Sequence, residues 1–132
     1  MNENAQVIAA ALQRIQEEGK QSNFVVFRGD VNRNYYIQFS AEPGASVLHA
    51  EAVSNRFLDA KDALSPDQQA QLRALGWTPP QSSGNQGPNF YHRWTCTTDD
   101  ERLEVAQVII QTFAEVYGLP TDKPLIVNLV LS

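Results

Sequence analysis

An α+β fold, with helices flanking an antiparallel sheet, is what the sequence predicts, on three observations. Residues 3 to 18 place apolar side chains at helical spacing, and residues 23 to 53 break into three short β-branched and aromatic runs. Residues 99 to 117 return to helical periodicity before a closing apolar run, LIVNLVL. The expected order is N-terminal helix, three-stranded antiparallel meander, short helix, strand, long helix and final strand. A chain of 132 residues fits one domain, residues 1–132, large enough to bury a core without disulfide or metal.

In the first helix Val7, Ile8, Ala11, Leu12 and Ile15 form one apolar stripe, Asn2 or Asn4 is placed to cap the start, and Gly19 suits a left-handed end. The meander is expected at about 23 to 28, 34 to 41 and 46 to 53, because RGDVNRN and AEPGA between the runs are rich in turn formers. Within the middle strand, Tyr35, Ile37 and Phe39 alternate with Tyr36 and Gln38, so the first three should face the core.

The stretch LRALGWTPPQSSGNQGPNFYHRW holds both tryptophans of the chain. Ser65, Pro66 and Gln68 upstream spell a capped helix start, and Gly76 stands where a Schellman turn needs a residue without Cβ. Trp77 then belongs to a helix end, packed back on Leu72. Pro79 and Pro80 prevent further helix, QSSGNQGP is a connector, and NFYHRWTC alternates Phe90, His92, Trp94 and Cys96 against Tyr91, Arg93 and Thr95. Trp94 is expected to point inward or at an interface.

The last helix has clear limits, Thr98 and Glu101 forming a capping box and Gly118 with Pro120 stopping it. Leu103, Ala106, Ile110, Phe113 and Tyr117 fall in one apolar sector and Val105, Val108, Ile109 and Val116 in another. Two faces need burial. One can pack on the sheet, while the other needs the first helix or a second copy, so Val105, Ile109, Val116, Ile110 and Phe113 are the candidate interface. The final strand is apolar on both sides except Asn128, which suggests cover from two directions.

Fifteen acidic against ten basic residues leave a formal charge of -5, with the bases scattered along the chain. Nucleic acid and anionic membrane, which need clustered Lys and Arg, are disfavoured as partners. The longest apolar runs fall far short of a membrane span, no positively charged start leads into an apolar run, and the single cysteine cannot make an internal disulfide. A reducing cytoplasm is the expected location.

No constellation of residues announces a reaction. His92 and Cys96, four apart on a strand, are separated by about 13 Å, too far for a nucleophile and its base or for joint metal ligands. Only His49 remains as another imidazole, so the ligands of a zinc site are not evident. Arg28, Gly29 and Asp30 spell RGD, read here as turn chemistry. Gly84 and Gly87 lack the strand, loop and helix context of a phosphate site. Neither a cofactor nor a catalytic residue is expected.

The runs YIQFSAEPGASVLHAEAVSNRFL, LRALGWTPP, NFYHRW and AQVIIQTFAEVYGLP resemble, in order and spacing, the bacterial Tir-chaperone-like (TY-Chap) family, related to the YbjN proteins and to type III secretion chaperones. The most specific pieces are Ala50 to Asn55 and Leu75 to Pro80, joined to the strand that carries Trp94. The resemblance implies an α+β domain, commonly dimeric in the secretion chaperones, that binds another polypeptide without catalysing a reaction. It also implies scaffold roles for Asn55, Gly76, Trp77 and Trp94, with no catalytic motif to carry over. A non-enzymatic, chaperone-like domain engaging a protein or peptide client is therefore the expected function. The alternative is a small-ligand or enzymatic domain with a pocket near residues 84–94, using Tyr91, His92 and Arg93 as polar contacts.

Overall fold

In the computed structural model, residues 3–30, 32–80, 88–120 and 122–132 are described. Asn2 and most of the connector after Pro80 lie outside them. The elements are α1 (Glu3–Glu17), β1 (Asn23–Arg28), β2 (Tyr36–Ala41), β3 (Val47–Ala52), α2 (Pro66–Ala74), β4 (Phe90–Thr95), α3 (Asp99–Glu115) and β5 (Ile126–Val130), with two 3-10 turns, Asn55–Phe57 and Ala60–Asp62, before α2. The expected order holds throughout.

The strands form one five-stranded sheet in the order β4-β3-β2-β1-β5, and every neighbouring pair is antiparallel. Register sets the faces. Leu129, Val25, Phe39, Ala50 and His92 form one cross-strand row, and Val127, Phe27, Ile37, Ala52 and Phe90 the next, on the side that carries the core. Tyr35, Ile37 and Phe39 are buried as the alternation requires.

Both helix starts read from sequence are present. Ser65 Oγ accepts from the Gln68 amide while Gln68 Oε1 accepts from the Ser65 amide, and Thr98 with Glu101 repeats the arrangement at α3. At the end of α2 the Trp77 amide bonds the Leu72 carbonyl and the Gly76 amide the Arg73 carbonyl, each at 3.0 Å, with Gly76 at φ +101°. This is the Schellman turn that sequence called for.

Three expectations change. Asn4 lies inside α1 instead of capping it: its amide donates to the Lys123 carbonyl and its Oδ1 accepts from the Leu125 amide, tying the helix to the chain entering β5. Val7, counted in the apolar stripe, is 43% exposed. The third change concerns β5, which is not covered from two directions. It is an edge strand paired only with β1, and Ile126, Val127 and Asn128 are exposed. Continuous apolar character marks a central strand only where both neighbours exist.

Helix α3 resolves the question of its two apolar sectors. Helix α1 packs alongside it and on β1 and β2, so the core lies between the sheet and this helix pair. Val105, Ile109, Phe113 and Val116 are between 0% and 4% exposed. The second sector, which fitted either α1 or a second copy, is met by α1 within the chain: of the five candidate interface residues only Ile110 keeps partial exposure, with Leu103 and Val108 also half-buried on the same helix.

Candidate partner-binding site

The two edges of the sheet differ, and that difference defines the site. Strand β4 is closed where Thr78 bridges to Tyr91, donating to the Tyr91 carbonyl at 2.7 Å and accepting from its amide at 2.9 Å. Behind this bridge, His92 stacks on Trp94 with ring centroids 3.8 Å apart and planes 4° from parallel. Trp77 meets both rings edge-on at 5.8 Å and donates its indole N–H to Thr112 Oγ1 of α3. Trp77 is buried and Trp94 half-buried, pointing to the core side as expected.

Two of the polar groups named for the alternative pocket are engaged here, the Tyr91 hydroxyl lying 3.1 Å from His49 Nδ1 and His92 stacking in the cluster. His92 Nδ1 lies 3.1 Å from the Arg93 carbonyl, its ring is sandwiched in the aromatic cluster, and burial lowers its pKa. At the described end of the connector, a hollow of ≈ 340 Å³ is lined by Ser54, Asn55, Arg56, Gln69, Pro80, Pro88 and Phe90, a set without Tyr91, His92 or Arg93. Cys96 is fully buried and burial raises its thiol pKa, so it sits as a small hydrophobe. Among the described residues, no group of three or more His, Cys, Asp or Glu is placed to hold a metal ion.

The β5 edge is built differently. No described residue bridges to its outer side, and Ile126 and Val127 are 41% and 37% exposed. With Val7 on the tethered start of α1, they make three of the four large hydrophobics exposed among the described residues. The fourth, Phe57, shares with Ile126 a hollow of ≈ 500 Å³ at the end of the sheet, beside Arg28, Arg33, Asp59 and Asp62. An exposed strand edge offers backbone donors and acceptors, and flanking apolar side chains add contact area.

Local hydrogen bonds fix the turn region beside that hollow. Asn55 clamps the turn region by accepting from the Leu64 amide at 2.6 Å and donating to the Leu64 carbonyl at 3.1 Å. Asn34 donates to the Phe57 carbonyl and Tyr35 to the Asp62 carbonyl. The RGD side chains are consumed within their own hairpin: Asp30 accepts from the Asn32 amide and from Arg33, while Arg28 donates to Asn34 Oδ1 and lies over the Tyr36 ring. The backbone hydrogen bond from Asn32 holds the Asp30 carboxyl below its ordinary pKa. These side chains form turn structure, as the sequence suggested.

Sequence reasoning missed the open edge because alternation identifies strands without ordering them. The absence of charge from Pro124 to Ser132 pointed the other way, since edge strands commonly carry a charge or an internal Pro.

Fold and site together define a small α+β domain whose β4 edge is bridged at Tyr91 and whose β5 edge has no further partner among the described residues. The chain matches, over residues 3–128, the family described as T3SS (YopN, CesT) and YbjN peptide-binding chaperone 3, TY-Chap3, and belongs to it. The resemblance read from its sequence runs is therefore correct at the level of family and fold. No curated protein and no solved structure matches the chain. The family is a chaperone-type, peptide-binding one, which supports a protein partner. Among the described residues, no helix is long and apolar enough to cross a membrane.

Proposed function

We propose that the chain acts, as one domain, as a non-enzymatic chaperone that holds an extended segment of a protein client against the free edge of β5. The observation that carries this reading is the pairing of an open strand edge with exposed Ile126 and Val127 in a family described as peptide-binding. A client strand would find main-chain hydrogen bonds along β5 and apolar contacts at Ile126, Val127 and Val7. The reading places the protein in the cytoplasm as a homodimer, with no nucleic-acid or membrane partner and no cofactor.

The test begins with affinity capture from the native cell and mapping of the recovered client to a short segment. A synthetic peptide of that segment is then added while amide hydrogen exchange is followed. Slowed exchange confined to β5 and its surroundings is the expected result. Protection centred on β4 or the outer sheet face, with β5 unchanged, would overturn the placement, and turnover of a small molecule would overturn the non-enzymatic reading.

A further inference from the structure

We infer that, without a client, the β5 edge is closed by a second copy of the chain, the two β5 strands running antiparallel about a twofold axis at Asn128. This deepens the homodimer part of the proposed function by naming the surface and its occupant.

The exposed apolar side chains point to this edge. Asn4 holds the first turn of α1 against Lys123 and Leu125, and Val7 lies one turn further on, about 60° around the helix from Asn4. Ile126 and Val127 are exposed on the two faces of β5 beside this edge, and Val7 is exposed on the helix that Asn4 ties to the chain entering it. A surface of this kind is an association site when it is not covered.

Charge and sequence symmetry select the occupant. In antiparallel pairing about a twofold axis, the residue on the axis meets its own copy, so a charge there repels itself, and a charge close to the axis lies near its own copy. The segment from Pro124 to Ser132 carries no charged side chain, although the chain as a whole has a net charge of -5. The strand reads IVNLV, with two apolar residues on each side of Asn128. Antiparallel pairing about that residue sets Ile126 opposite Val130 of the second copy and Val127 opposite Leu129 of the second copy. Asn128 meets itself, and a carboxamide, carrying both donor and acceptor, complements its own kind. Shifting the register by two residues places Asn128 against an apolar side chain instead.

The other edge explains why the assembly stops at two. Pairing β5 of one copy with β4 of the next would repeat without closing, giving a filament. Thr78 already takes both main-chain groups of Tyr91 on the outer side of β4. Pairing of β5 with β5 is the closed alternative, and a client strand competes with it for the same edge.

Sedimentation equilibrium on the full chain tests the inference, using Asn128→Lys, Asn128→Asp and Asn128→Ser. Asn128 is exposed, so each variant is expected to keep the wild-type circular dichroism. The wild type and Asn128→Ser should be dimers at high micromolar concentration. Asn128→Lys alone and Asn128→Asp alone should each self-associate at least about tenfold more weakly, and an equimolar mixture of the two should recover the dimer. A wild-type dimer unaffected by both charged variants would place the interface elsewhere and leave self-association standing. Loss of the dimer in Asn128→Ser as well, or no recovery on mixing, would also overturn the axis at Asn128. A monomeric wild type would remove self-association altogether while leaving client binding to be judged by hydrogen exchange.

Discussion

The β4 and β5 edges come from segments of different composition, NFYHRWTC alternating and bearing Arg93 and LIVNLVL apolar but for Asn128, and one is bridged at Tyr91 while the other has no further partner among the described residues. The difference lies in what precedes each strand. Before β4 the chain leaves α2 through Gly76, drops Trp77 into the core and brings Thr78 back along Tyr91. Before β5 it arrives from α3 and is held by Asn4 at Lys123 and Leu125. The bridge at β4 is a property of the connection, and neither strand's own composition shows it.

The closed edge should be the more expensive one to damage. Trp77→Ala removes a buried indole, its contacts with His92 and Trp94 and its bond to Thr112, and the expected loss is about 3–5 kcal/mol. Chemical denaturation followed by circular dichroism measures it. A loss below about 1 kcal/mol would mean that the cluster is loosely packed. Gly76→Val should follow at more than about 1 kcal/mol, since a β-branched residue resists positive φ. An added Cβ would also stand 2.8 Å from His92 Nε2. A neutral melt would contradict the turn.

Much of the fold was legible because its signals are local. The capping boxes at Ser65 and Thr98 and the glycine turn at Gly76 involve neighbours within six residues, and backbone chemistry alone defines them. The inward set Tyr35, Ile37 and Phe39 follows from the period of a strand. Which element covers which face is a long-range matter. The second apolar sector of α3 fitted either α1 or a partner, and only packing of α1 alongside α3 decides it. Likewise, Asn4 is a good cap by type, but its bonds span to residues 123 and 125, beyond any local pattern. The open edge was illegible for the same reason.

Between the edges in expected effect are two polar devices. Asn55→Ala breaks both bonds to Leu64 and should cost about 1 kcal/mol while loosening the turn region beside the open edge. Faster amide exchange at Leu64, relative to α2, is the local readout. At α3, hydrogen bonds from Thr97 and then Thr98 hold Glu101 below its ordinary 4.5. The folded state thus favours the carboxylate, and the stabilisation present above pH 4.5 is lost as pH falls through the lowered folded value. Glu101→Gln should flatten the acid side of the stability profile measured down to about pH 3, and an unchanged profile would assign that slope to other carboxyls.

The smallest stability effect is expected at the open edge, where it sharpens the contrast most. Val127→Thr keeps β-branching and nearly the same volume, so its strand preference and its pairing with Phe27 should survive. Val127 is 37% exposed, and among the described residues no second strand bridges to the outer side of β5 as Thr78 does at β4. The change in stability should stay within about 0.5 kcal/mol, against several for Trp77→Ala. If Val127 instead serves to contact a strand laid on β5, the same hydroxyl must be desolvated on binding, and association should weaken while the melt stays put. A denaturant melt and a binding isotherm on one preparation separate the two. A large drop in stability with binding unchanged would make β5 as internal a strand as its composition first suggested, and would remove the distinction between the two edges.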